Sequence, residues 1–131
     1  MLGAIAAALA LALPAVAGAQ ASGATAATLR AAAARLIAAE LAGDGAGVCG
    51  VLYAPLTATR NGRTCAQRWD SRSRAMLASR QLARGLRADQ RAVATAAVTI
   101  NGEHGQIALP QPLLNGHDRF YWTANCWMLT H

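Results

Sequence analysis

The chain has 131 residues, a length that leads us to expect a single folded domain. Its 12 basic residues are all arginine and face only 6 acidic ones, for a formal net charge of +6. Nucleic acid is disfavoured as a partner because no binding motif accompanies that charge and the expected destination is extracytoplasmic, and an Ala-rich, Lys-free composition is also what a GC-rich coding sequence produces.

The first predicted element is a leader. Leu2 to Val16 is an uncharged apolar run, broken at Pro14 and followed by the small residues Ala17-Gly18-Ala19. That layout predicts a secretory signal peptide cut after Ala19, with the amine of Met1 as the only positive charge ahead of the run. A membrane-spanning helix needs about 20 consecutive apolar residues; this run is shorter and passes directly into Gln20-Ala21-Ser22-Gly23. The expectation is therefore a signal peptide over 1–19 and a single secreted or extracytoplasmic domain over 20–131, where disulfides are permissible. A domain of that size buries only about 65% of its unfolded surface and gains from a covalent staple.

From Ala24 to Leu41, strong helix formers run without Gly or Pro, which predicts one helix. Leu29, Ala33, Leu36, Ile37 and Leu41 recur at helical spacing, with Arg30 and Glu40 flanking them. Thr25 or Thr28 can cap the start, and Gly43-Asp44-Gly45 stops it. Val48 to Ala54 is a short apolar block, predicted as one or two helical turns and ended by Pro55 and Asn61-Gly62. A second long helix is predicted from Cys65 to about Arg91, with Ala75, Ala78, Leu82 and Leu86 as its buried stripe and a kink or break near Gly85. Asp70, near its start, complements the helix dipole.

Beyond Arg91 the apolar period falls to two. Ala94, Ala96, Val98 and Ile100 alternate with Val93, Thr95, Ala97 and Thr99, predicting a strand that turns at Asn101-Gly102. Ile107 and Leu109 mark a second strand, ended by Pro110 and Pro112. A last strand is predicted over Arg119–Thr130, with Phe120, Trp122, Ala124, Cys126 and Met128 on one face and Tyr121, Thr123, Asn125, Trp127 and Leu129 on the other. Helices followed by strands predict an α+β fold, N-terminal helices packed on a curved antiparallel sheet.

The order Leu41-Ala42-Gly43-Asp44-Gly45-Ala46-Gly47-Val48-Cys49, Cys65 opening a helix, a Val-x-Ile-Asn-Gly hairpin and a late aromatic strand resembles the small secreted NTF2-like (SnoaL-like) proteins of actinobacterial type. The resemblance implies a bent sheet closing into a cone, and a cysteine pair tying the helices together. Enzymes of that fold place an acid and a Tyr, His or second acid inside the cone; no residue here matches those positions one by one, so none is carried over.

Cys49 and Cys65 are the best disulfide candidates, since closing a loop of roughly 15 residues contributes about 3 kcal/mol; two reduced core thiols are the alternative. Cys126 reads as a small hydrophobe on a strand. His104, His117 and His131 lie in turns or at the terminus without metal-ligand spacing, so no metal or cofactor is expected. Were there a catalytic site, it would use Asp118 or His117 at the sheet mouth with Tyr53 or Tyr121 as hydrogen-bond donor. Arg80, Arg84, Arg87 and Arg91 recur at four, three and four, forming one helical stripe that, with Arg72 and Arg74, is a candidate for an anionic partner such as an envelope surface. Phe120, Trp122 and Trp127 are candidates to line an apolar pocket. The leading expectation is a non-enzymatic module binding a small apolar ligand or a protein partner, with homodimerisation through the sheet; the alternatives are a cone-cavity isomerase, dehydratase or hydrolase, and an Arg-face adaptor at anionic envelope surfaces.

Overall fold

A computed structural model describes residues 23–54, 56–111 and 118–130. The expected leader, Pro55, Pro112, His117 and His131 lie outside the described residues. Among those described, no helix is long and apolar enough to cross a membrane.

The first helix, α1, spans Ala26–Ala42. Both threonines serve its start: Thr25 Oγ1 accepts from the Thr28 amide and Thr28 Oγ1 accepts from the Thr25 amide, a reciprocal box that satisfies two first-turn donors. Gly43 ends it in the left-handed conformation at φ 67°. Its buried stripe is Leu29, Ala32, Ala33, Leu36, Ile37 and Glu40. Glu40 was expected beside the stripe and instead belongs to it, because four residues beyond Leu36 and three beyond Ile37 is the same helix face.

Helix α2 spans Gly45–Cys49, with Asp44 capping Gly47 at 3.0 Å. It begins three residues earlier than the apolar block suggests, since Asp44 caps the chain there and Asp70 Oδ1 accepts from the Gly45 amide at 2.8 Å. The disulfide Cys49–Cys65 joins α2 to helix α3, Cys65–Ala78. The predicted single long helix is two: α3 stops and α4, Arg80–Ala92, starts at Ser79, whose extended backbone (φ −88°, ψ 114°) lets its hydroxyl cap the Leu82 amide. Gly85 stays helical. The break resets the helical phase, so the predicted stripe does not form: Ala75 and Ala78 are exposed, Leu82 is 50% exposed, and Leu86 is buried together with Ala83 and Asp89.

Four strands follow, β1 Val98–Asn101, β2 His104–Ile107, β3 Arg119–Thr123 and β4 Cys126–Leu129, in an antiparallel sheet of order β1-β2-β3-β4. Val93–Thr95, predicted as strand, is a 3-10 turn continuing α4. The predicted last strand is a hairpin. Ala124 and Asn125 take φ of 49° and 59° and fold the chain back, pairing Phe120 with Leu129 and Trp122 with Trp127. That corrects the faces: Phe120, Trp122, Trp127 and Leu129 share one, while Tyr121, Thr123, Cys126 and Met128 share the other.

The resulting α+β body has its core where α1 meets the sheet. Leu29, Leu36, Ile37, Ile107, Phe120, Trp127 and Leu129 are almost fully buried there. Gly105 marks the closest approach: a Cβ on it would collide with Leu29 Cδ1 and lie 3.1 Å from the Trp127 ring. Trp127 Nε1 donates to Thr28 Oγ1 at 3.0 Å, so the one polar atom of the largest core side chain is satisfied by the α1 cap. Tyr53 N–H donates to the Leu129 carbonyl and Leu129 N–H to the Val51 carbonyl, which lays residues 51–53 along β4.

Candidate functional site

The pleat of the sheet sorts the candidate residues. Gly105, Ile107, Phe120 and Leu129 point into the core, so their strand neighbours point away from it. On that outer face the ladder sets Asn101, His104, Tyr121 and Met128 side by side in one row, and Thr99, Gln106 and Arg119 in the next. A shallow groove of about 370 Å³ crosses these rows, with Thr99, Asn101, His104, Gln106 and Arg119 supplying polar groups to it.

Tyr53 and Tyr121, 68 positions apart in the sequence, meet here because residues 51–53 are pinned to β4. Their rings are 5.5 Å apart at 72°, an edge-to-face contact, and the His104 ring lies 5.3 Å from Tyr121 on its other flank. Tyr53 keeps 38% of its surface exposed. Tyr121 donates its hydroxyl proton to Glu103 Oε2 at 3.0 Å, and that hydrogen bond, with the charge of Glu103, pushes the phenol above its ordinary range. Asp118 Oδ2 accepts from Gln106 Nε2 at 3.1 Å, two residues along β2 from His104. The outer face thus carries three rings and several fixed hydrogen-bonding groups. Chemically it can cover a polar or aromatic partner surface.

Of the residues singled out from sequence, the structure brings Tyr53, Tyr121 and Asp118 to this one side. Phe120 and Trp127 are not on it: each is 1% exposed and packed in the core, with Trp122 half-buried against them at 5.3 Å from Trp127. Glu103, His104, Gln106 and Arg119 were not singled out as a group. Their signal was the alternation of His104 and Gln106 with Gly105 and Ile107, four residues short enough to read as a turn.

A separate polar set lies inside. Glu40 of α1, Ser73 of α3 and Asp89 of α4 are each 0–1% exposed, and Glu40 Oε1, Ser73 Oγ and Asp89 Oδ2 have no hydrogen-bond partner among the described residues. Burial pushes the Glu40 carboxyl up to about 7, partly opposed by Arg72 and reinforced by Asp89. Burial also raises Asp89, against the pull of the Gln111 amide, which donates to its Oδ1 at 2.8 Å. No group of three or more His, Cys, Asp or Glu side chains suited to a metal ion occurs among the described residues.

Arg80, Arg84, Arg87 and Arg91 are all exposed along α4, whose one carboxylate, Asp89, is buried on the opposite side. Cys126 is half-buried, its thiol directed to the Thr123 carbonyl at 3.4 Å. Neither a protein-family model nor a curated protein nor a solved structure matches the chain.

Proposed function

We propose that the chain is an exported, disulfide-clamped domain of NTF2-like type that works as a non-enzymatic binding module, using the outer face of its sheet to contact a protein partner, in the first instance a second copy of itself. The observation that carries this reading is the row of Tyr53, Tyr121 and His104 on a sheet face turned away from the core. Aromatic rings flanked by arginine and planar polar groups are the composition of protein contact surfaces. The helix-then-meander order and the Cys49–Cys65 link support the family reading, and the apolar run ahead of Ala19 supports export. A partner of mixed polarity is favoured over a small apolar ligand because Phe120 and Trp127 are taken up by the core.

Sedimentation equilibrium tests the self-contact. We expect reversible dimers in the wild type, weakened in Tyr121→Ala and in Arg119→Glu while circular dichroism stays unchanged. A monomer at every concentration, or a dimer indifferent to both substitutions, would remove the proposal.

A second reading is favoured by the four exposed arginines of α4, which make that helix an adaptor face for anionic envelope surfaces. The two faces belong to different elements and are separable by mutation.

A further inference from the structure

A depression of about 410 Å³ is lined by Arg63, Arg68, Trp69, Ser71 and Arg72. It therefore gathers three guanidinium groups, an indole and a hydroxyl, with no carboxylate among the described residues of its walls. Local folding builds it. Asn61 and Gly62 take φ of 50° and 70°, closing a turn in which Arg60 and Arg63 exchange both backbone hydrogen bonds at 3.0 and 2.9 Å. The turn carries Arg63 back over α3, where its Nη2 donates to Ser71 Oγ at 2.6 Å and to the Gln67 carbonyl at 3.3 Å. Arg68 and Arg72, four residues apart, stand on one side of α3. Arg68 Nη2 holds the Ala58 carbonyl at 2.6 Å, and the Arg72 guanidinium lies 4.9 Å over the Trp69 ring.

All three cationic heads are thus held in place by their neighbours, which lowers the cost of ordering them around a ligand. The site is also short of acceptors. Arg68 Nε and Trp69 Nε1 are buried donors with no hydrogen-bond partner among the described residues, and Ser71 Oγ is already engaged by Arg63. Glu40, which feels the charge of Arg72, is itself buried and its carboxyl is pushed up to about 7, so it offsets the cluster at most in part at neutral pH and not at all well below it. Three like charges with surplus donors are relieved by an acceptor-rich anion, and planar guanidinium forks match the oxygen spacing of phosphate.

We propose that the depression between the Arg60–Arg63 turn and α3 binds a phosphate-type oxyanion, with Arg63 and Arg72 as its principal ligands. The site is distinct from the outer sheet face and from the α4 stripe.

Calorimetry and tryptophan emission, the latter reporting through Trp69, test it on the intact chain. Inorganic phosphate, titrated at constant ionic strength against chloride, is expected to bind saturably. Arg63→Gln and Arg72→Gln should each weaken it roughly tenfold or more, the worth of a charge-assisted hydrogen bond, whereas Arg84→Gln/Arg87→Gln on α4 should leave it unchanged. Arg63 and Arg72 are exposed and carry the test even if Arg68→Gln, which frees the 56–58 loop, fails to fold. Glycerol phosphate distinguishes the source: equal affinity means that the phosphate group alone is read, and tighter binding points to an esterified headgroup or wall polymer. Binding of neither probe, a response matched by chloride, or equal weakening by the α4 variant would overturn the proposal.

Discussion

Glu40 lies on the buried stripe of α1 with one carboxylate oxygen lacking a partner among the described residues, and burial pushes its carboxyl from an ordinary 4.5 up to about 7. A carboxyl whose pKa is raised by folding binds its proton more tightly in the folded state. Its contribution is therefore fully present below pH 4.5 and is lost as pH rises through about 7. The loss over that window is roughly 3 kcal/mol at 1.4 kcal/mol per unit, with Asp89, also raised, acting in the same direction. Urea unfolding across the window should show stability falling with pH in the wild type and a flatter profile in Glu40→Gln; equal slopes would contradict the assignment. Gly105→Ala tests packing at the same scale. Its Cβ meets Leu29 and Trp127, so we expect a loss of about 1–3 kcal/mol in chemical denaturation. The helical spacing of Leu29, Leu36 and Ile37 was legible from sequence, but the burial of Glu40 was not. A charged residue at the stripe's edge is read as solvated unless the facing helix is known, and here α4 covers it with Asp89.

At the scale of elements, the disulfide is a covalent restraint between α2 and α3. Cys49 and Cys65 are separated by 16 residues, and closing a loop of that length contributes about 3 kcal/mol through the unfolded chain. The double variant Cys49→Ser/Cys65→Ser should lose about that much in urea unfolding; an unchanged midpoint would show that the link contributes nothing. Helix α4 carries the second test. Association with vesicles of equimolar phosphatidylcholine and phosphatidylglycerol should weaken as salt shortens the screening length from about 30 Å to about 8 Å, and should weaken further in Arg84→Gln/Arg87→Gln. Salt-independent association would count against an electrostatic face. The Asn101-Gly102 turn and the paired cysteines were legible because each is a short-range signal with one dominant cause. The break at Ser79 was not, because a serine cap and a glycine interruption compete within seven residues and only packing decides: Gly85 faces the Gln111 side chain and stays helical. The Ala124-Asn125 turn was hidden for a similar reason. Alanine rarely takes positive φ, so an apparently continuous apolar strand concealed a hairpin.

For the molecule as a whole, that hairpin decides which residues are available for function. Folding at Ala124-Asn125 sends Trp127 and Leu129 inward beside Phe120, and leaves Tyr121 outward beside His104 and Tyr53. The aromatic weight of the last segment was legible in sequence; its division between core and surface was not, since that depends on register. The α+β order follows directly from the change of apolar period near residue 93. The proposed contact face does not, because it is assembled from β2, β3 and residues 51–53, which are distant in the chain. The central claim is that this outer sheet face is the contact surface. Amide chemical shifts recorded over a dilution series test it most directly. We expect the concentration-dependent shifts to cluster at Tyr53, His104, Gln106, Arg119 and Tyr121 and to vanish in Tyr121→Ala; shifts confined to α4, or none at any concentration, would contradict it.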